Sequence, residues 1–281
     1  MLHNKKVAFL GAGSMAEAMI SGIIHANKLP SHHIIVTNHS NEQKLHSMTA
    51  RYGIQGRVKE EVAFDEIDIL VLAMKPKDAE AALLFIKDKI RSDQVVISVM
   101  AGISTSYIED RLNKKQQVVR AMPNTSSMVR ESATGMSIGT YVSETMAYLC
   151  KELLGCFGEV YTIEEDQMDL FTGIAGSGPA YFYYLIEHIE QTAIAGGIDE
   201  ETARQISIQT MLGASKMMDE QAESPSKLRK NVTSPNGTTA AGLQALQKYG
   251  GGKAISQAIQ SAAKRSRELN KEKILEVAGT S

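Results

Sequence analysis

Cysteine and net charge are both scarce in this chain. Its 281 residues include only Cys150 and Cys156, and 30 Lys+Arg against 32 Asp+Glu leave a formal charge of -2. Two cysteines six positions apart, with no C-x-x-C and no Cys/His ligand spacing, exclude the usual zinc patterns and read as reduced, buried thiols. A near-neutral chain has no polyanion-binding footprint, so nucleic acid is not an expected partner. Long apolar runs are missing as well. The stretch at 67–74 already contains Asp68, so no membrane span is expected. The start MLHNKKVAFLGAG passes from two lysines into a glycine turn, which reads as a buried strand and not as a signal peptide. A cytoplasmic protein is therefore expected. The chain also lacks internal repeats and low-complexity tracts. Its seven histidines are scattered, and His32-His33 have no third ligand at metal spacing, so no metal site is expected.

What is present is an ordinary globular composition, 43% hydrophobic and 22% charged, in a chain longer than most single domains. Short apolar runs (KVAFLG, HIIVTN, DILVLAM, QVVISVM, QVVRAM) alternate with amphipathic stretches. This βαβα rhythm predicts a doubly wound, mainly parallel sheet with helices on both faces. Two further strands, at 134–138 and 159–163, flank a helix at 143–154. Beyond residue 163 only helical periods follow, at 179–194, 200–219, 225–230, 239–248 and 253–278. The spacing thus predicts an α/β domain at 1–163 and an all-α region at 164–281. Asp199 and Ser224 suit helix N-caps, Pro179 and Pro225 suit first turns, and Gly196-Gly197 and 250–252 suit stops. The apolar residues of AYFYYLIEHIEQTAI wrap around much of their helix, which implies a covering second subunit.

GAGSMAEAM follows an apolar strand and opens a helix, the setting that makes Gly11-x-Gly13-x-x-Ala16 a credible dinucleotide fingerprint. Gly11 allows the tight turn, Gly13 lets the backbone approach a pyrophosphate, and the helix start at Ala12, Ser14 and Met15 offers N–H groups and a positive dipole. After the second strand the chain reads VTNHSNEQK, with no acidic residue at 37–41 to receive a ribose 2'-hydroxyl. Asn38, His39 and Ser40 could instead face a 2'-phosphate, which favours NADPH, with NADH as the alternative. Ala73, Met74, Lys75 and Pro76 at the end of the third strand of that rhythm, and Ala101 at the end of the fourth, fall where nicotinamide is expected.

LGAGSMAEAMISG, AMKP, RAMPNTSSMV, IAGSGPAYFY and VTSPNGTTAAGL, taken in order and spacing over nearly the whole chain, resemble the pyrroline-5-carboxylate reductase family. The resemblance implies a Rossmann domain joined to a helical dimerisation domain, at least a homodimer and up to a ring-like oligomer. It implies a small-molecule substrate, Δ1-pyrroline-5-carboxylate, reduced to L-proline by NADPH. It also carries over Thr239 at the ring nitrogen, Ser234, Gly237 and Thr238 around the substrate carboxylate, Glu165 on the substrate side and Asn231 toward the cofactor. The residues themselves agree with the carboxylate role. Ser234-Pro235-Asn236-Gly237 reads as a β-turn feeding a helix, leaving the amides of Gly237, Thr238 and Thr239 free for a small anion.

Three departures stand out. Asn236 replaces a glycine, Ser126 a proline, and Glu60 lies near an asparagine usual beside the adenosine. Two other functions remain open at this level: reduction of a different small cyclic imine, and a noncatalytic NADP-binding paralogue acting through protein contacts.

Overall fold

Residues 2–38 and 41–278 are described by the computed structural model. Runs of β-branched and large apolar residues form most of the strands: β1 (Val7–Leu10), β2 (Ile34–Thr37), β3 (Gln55–Arg57), β4 (Ile69–Leu72), β5 (Val95–Ser98), β6 (Gln117–Met122), β7 (Ser132–Ile138) and β8 (Gly158–Thr162). They join one sheet in the order β3-β2-β1-β4-β5-β6-β7-β8. The first six strands are parallel, β6 and β7 run antiparallel, and β7 and β8 are parallel again. β3 is an addition to the sequence reading: Gln-Gly-Arg has no apolar alternation and pairs only with β2, at the edge of the sheet.

Successive side chains of a strand point to opposite faces, and both faces here are covered. Val7, Phe9, Val71 and Ile97 pack on one side with Met19, Ile20 and Ile23 of α1 (Ser14–His25). That layer also holds Met48 of α2 (Glu42–Tyr52). Ala8, Leu10, Leu72 and Val96 pack on the other side. Their partners there include Leu83 of α3 (Ala79–Ile86) and Ile108 of α4 (Thr105–Glu109). The first layer also takes Leu149 and Leu153 of α5 (Glu144–Leu154). Each such fully buried side chain contributes roughly 1.5–3 kcal/mol, which makes this two-sided core the main stabilising element.

No strand follows β8 among the described residues. A 3₁₀ turn (Glu165–Gln167) leads into α6 (Met168–Phe171) and a π-turn (Thr172–Gly176). Next come α7 (Gly178–Ala195), α8 (Glu200–Glu220), α9 (Pro225–Asn231), α10 (Thr238–Lys248) and α11 (Gly251–Ala278). The expected caps form: Asp199 accepts from Thr202 N and Ser224 from Lys227 N. The expected boundary at 163/164 marks where strands end, whereas compactness divides the chain elsewhere. One unit holds the residues up to Ser177 and those from Ser261 on, and the other holds Gly178–Gln260. The reason is local. Asp169 on α6 accepts from Ser266 Oγ at 2.7 Å and Asn270 Nδ2 at 3.0 Å, tying the second half of α11 to the strand-bearing unit.

Within the helical unit, Gly178, Ala203 and Ser207 are buried. Phe182, Tyr183, Tyr184 and Ile189 of α7 are 49–65% exposed, so the apolar wrap seen in the sequence has no cover among the described residues. Cys150 and Cys156 are buried free thiols, and burial pushes them up to about 12 and about 11 respectively.

Candidate functional site

The order β3-β2-β1-β4-β5-β6 reverses direction beside β1, and ligands of such sheets lie at the carboxyl ends of the strands next to that reversal. A cleft of about 760 Å³ opens there. Gly11, Ala12, Gly13 and Ser14 line it from the turn after β1, Asn38 from the end of β2, and Ala73, Met74 and Lys75 from the end of β4. Gly11 has φ +113°, and a Cβ at that position would stand 2.5 Å from the Ala73 carbonyl oxygen. Only glycine therefore fits this approach. The Gly11 N–H donates to Thr37 O at 3.1 Å and Ala73 N–H to Leu10 O at 2.9 Å, which fixes the turn between its neighbours. Gly13 caps α1 with extended backbone and no side-chain acceptor, so the first-turn amides of α1 remain available to an anion. A glycine cradle and a 12-residue helix starting at the cleft fit a dinucleotide pyrophosphate.

The remaining predicted cofactor residues divide. Met15, Pro76 and Ala101 do not line the cleft. Met15 is the second residue of α1, Pro76 opens a 3₁₀ turn, and Ala101 sits in the turn after β5. His39 and Ser40 lie outside the described residues. Asn231 ends α9 in the helical unit, where its Nδ2 donates to Glu223 Oε2 at 2.8 Å.

Four lysines line the cleft (Lys44, Lys59, Lys75, Lys77) against one carboxylate, Asp78. Their positive field suits a polyanion. Lys44, Lys59 and Lys77 escaped the sequence reading. Lys44 lies in the first turn of α2, whose N-cap Asn41 accepts from Lys44 N at 2.8 Å, and its Nζ donates to Glu17 on α1. That bond, with smaller help from Tyr52 and Arg51, holds the Glu17 carboxyl below its ordinary range. Lys59 stands 4.6 Å from the centre of the Phe85 ring and 3.8 Å from Glu60, so the departing Glu60 pairs with a lysine of the cleft wall.

Around Glu165, the residue expected on the substrate side, two glutamates in sequence take different tasks. Glu164 caps the 3₁₀ turn in a reciprocal bond with Gln167. Glu165 instead accepts from Arg120 Nη1 at 2.7 Å and from the Thr105 hydroxyl at 3.3 Å. Arg120 sits on β6 beside Ser98, the last residue of β5. Its side chain is 4% exposed, and its Nε and Nη2 are buried without a partner among the described residues.

In the helical unit, 234–237 forms the expected β-turn. Gly237 N–H donates to Ser234 O at 3.0 Å, and Asn236 takes φ +60°, the left-handed conformation for which its side chain suits it. One expectation is corrected here: the Gly237 amide is spent on closing the turn and is not free. Thr238 and Thr239 open α10, are exposed, and their amides meet no acceptor among the described residues.

Comparison with known proteins gives a consistent result. A family model described as pyrroline-5-carboxylate reductase dimerisation matches residues 165–269, and one described as NADP oxidoreductase, coenzyme F420-dependent, matches residues 6–102. The chain is 59% identical to pyrroline-5-carboxylate reductase 1 of Bacillus spizizenii over 96% of its own length and 91% of that protein. It superposes on the pyrroline-5-carboxylate reductase of Coxiella burnetii with a TM-score of 0.89 at 32% identity, covering 95% of this chain and 99% of the other. On the Plasmodium falciparum pyrroline carboxylate reductase with NADP bound, the TM-score is 0.86 at 27% identity, covering 96% and 100%.

Proposed function

Because the chain belongs to the pyrroline-5-carboxylate reductase family, we propose that it reduces Δ1-pyrroline-5-carboxylate to L-proline with NADPH. When bound, the cofactor supplies the hydride that adds to the imine carbon, and a proton completes the amine at nitrogen. The glycine cradle at 11–13 and the start of α1 hold the pyrophosphate. Asn38, with Lys44 and Lys59, attends the adenosine end, and Met74 to Pro76 and Ala101 attend the nicotinamide. Thr238 and Thr239 amides, backed by the α10 dipole, hold the substrate carboxylate, while Ser234 shapes the turn that presents them. The Thr239 hydroxyl orients the ring nitrogen and relays its proton. A threonine hydroxyl is a weak acid, so solvent is the ultimate donor.

The observation that carries this reading is the pair of uncommitted amides at the start of α10, delivered by a turn whose own hydrogen bond keeps Gly237 out of the way. Steady-state kinetics of wild type and Thr239→Ala test it, with NADPH and NADH, on pyrroline-5-carboxylate and on piperideine-2-carboxylate. We expect kcat/KM on pyrroline-5-carboxylate to fall about 100-fold in Thr239→Ala, with NADP⁺ affinity kept. Full activity in the variant removes the hydroxyl from the mechanism, and a preference for the six-membered imine reassigns the substrate.

The exposed apolar residues of α7 support a homodimer as the minimal unit, with a ring-like oligomer as its extension. Sedimentation equilibrium distinguishes the two. Two free thiols fit a cytoplasmic enzyme.

A further inference from the structure

Arg120 is expensive where it stands. A guanidinium 4% exposed on a sheet strand has lost its hydration, and two of its three nitrogens have no partner among the described residues. Its compensation is one carboxylate oxygen of Glu165, which is itself 32% exposed. A buried pair of this kind adds little stability over apolar side chains of similar volume, so stability alone gives the chain little reason to keep an arginine between Ser98 and Ser137. Its geometry gives a better one. Arg120 holds Glu165 Oε1, Thr105 holds Oε2, and the capping bond of Glu164 fixes the turn from which Glu165 projects. Both holding groups lie at or just beyond the carboxyl end of β5, on the ligand side of the sheet.

We propose that Arg120, assisted by Thr105, is a positioning residue: it sets the orientation of Glu165 and through it the binding of the imine substrate. The proposal rests on the reading of Glu165 as a substrate-side residue. Neither Arg120 nor Thr105 touches the reacting atoms. The three side chains form one unit, so the loss of either holding group acts on substrate binding through Glu165, more strongly for the charged bond of Arg120 than for the neutral bond of Thr105.

The test is a comparison of Thr105→Val, Arg120→Lys, Arg120→Gln, Glu165→Gln and the double variant Arg120→Gln/Glu165→Gln. For each, KM and kcat for pyrroline-5-carboxylate, the dissociation constant of NADP⁺ and the melting temperature are measured. We expect KM to rise about tenfold in Arg120→Gln and in Glu165→Gln and about threefold in Thr105→Val, with NADP⁺ affinity within about twofold of wild type. The double variant matches the worse single within about twofold, because the second substitution removes nothing further. Arg120→Lys restores part of the lost KM. Thr105→Val is nearly isosteric and keeps the charge pair, so it reports even if the Arg120 variants fail to fold. Multiplied effects in the double variant overturn the proposal while leaving Glu165 in its role. So does a lowered melting temperature with wild-type KM in the Arg120 and Thr105 variants, which makes the pair purely structural. Wild-type KM in Glu165→Gln removes Glu165 from the site and this proposal with it, without touching the Thr239 test.

Discussion

The side-chain amide of Asn124 donates to the carbonyl of Ala175 at 3.0 Å, tying the loop after β6 to the π-turn that precedes α7. The same side chain accepts from Ser126 N at 3.0 Å, so the serine that departs from the family proline makes a bond no proline could make. Asn124→Asp keeps the acceptor and loses the donor, leaving a carbonyl in a part-buried turn unsatisfied. Urea unfolding should show a loss of about 1–3 kcal/mol. An unchanged midpoint would mean that the π-turn does not depend on this contact.

Gly11→Ala places a methyl group 2.5 Å from the Ala73 carbonyl and forces a left-handed residue to carry a side chain. Relieving the clash moves the β1–α1 turn, and the amides proposed to face the pyrophosphate move with it. NADP⁺ affinity, read by isothermal titration, should fall at least tenfold, in line with strain of about 1–3 kcal/mol at a non-glycine left-handed position. Retained affinity would place the dinucleotide elsewhere.

Lys59 lines the same cleft as Thr37 and Asn38 at the end of β2. If it attends the 2'-phosphate, Lys59→Ala should weaken NADP⁺ about tenfold, the scale of one charge-assisted hydrogen bond, and leave NAD⁺ unchanged. Equal loss for both cofactors would assign Lys59 to the shared part of the dinucleotide.

Glu17 titrates below its ordinary value chiefly because Lys44 donates to it, with Tyr52 and Arg51 adding to the effect. A carboxylate depressed on folding contributes stability that is present above its unfolded value of about 4.5 and is lost as pH falls through the lower folded value. Glu17→Gln should therefore lower stability at pH 7 by roughly 0.5–1 kcal/mol, and the gap from wild type should close as pH falls below the unfolded value and through the lower folded one. A gap that persists at low pH would point to lost packing rather than lost charge.

The legible parts of this molecule were those where one residue type serves one backbone need. A glycine pair between strand and helix, proline followed by asparagine in a turn, and Asp199 and Ser224 at helix starts all formed as their chemistry requires. Strand direction is different: β7 carries the same kind of pattern whether it runs with β6 or against it, so the antiparallel step left no trace in composition. β3 was missed because edge pairing through backbone alone needs no apolar alternation. Lys59 stayed hidden because its place on the cleft wall depends on that strand and on the 3₁₀ turn after it. Arg120 was visible as the one charge within QVVRAM, yet nothing in that strand names a partner 45 residues away.

The turn at 234–237 also bears on how the protein ages. An asparagine followed by glycine is the pair most prone to cyclise to a succinimide, through attack of the glycine nitrogen on the asparagine side chain. Here that nitrogen is engaged with the Ser234 carbonyl, and Asn236 is locked at φ +60°. The folded state thereby shields its own reactive dipeptide from deamidation, and chemical wear at this loop becomes a property of molecules that have already opened.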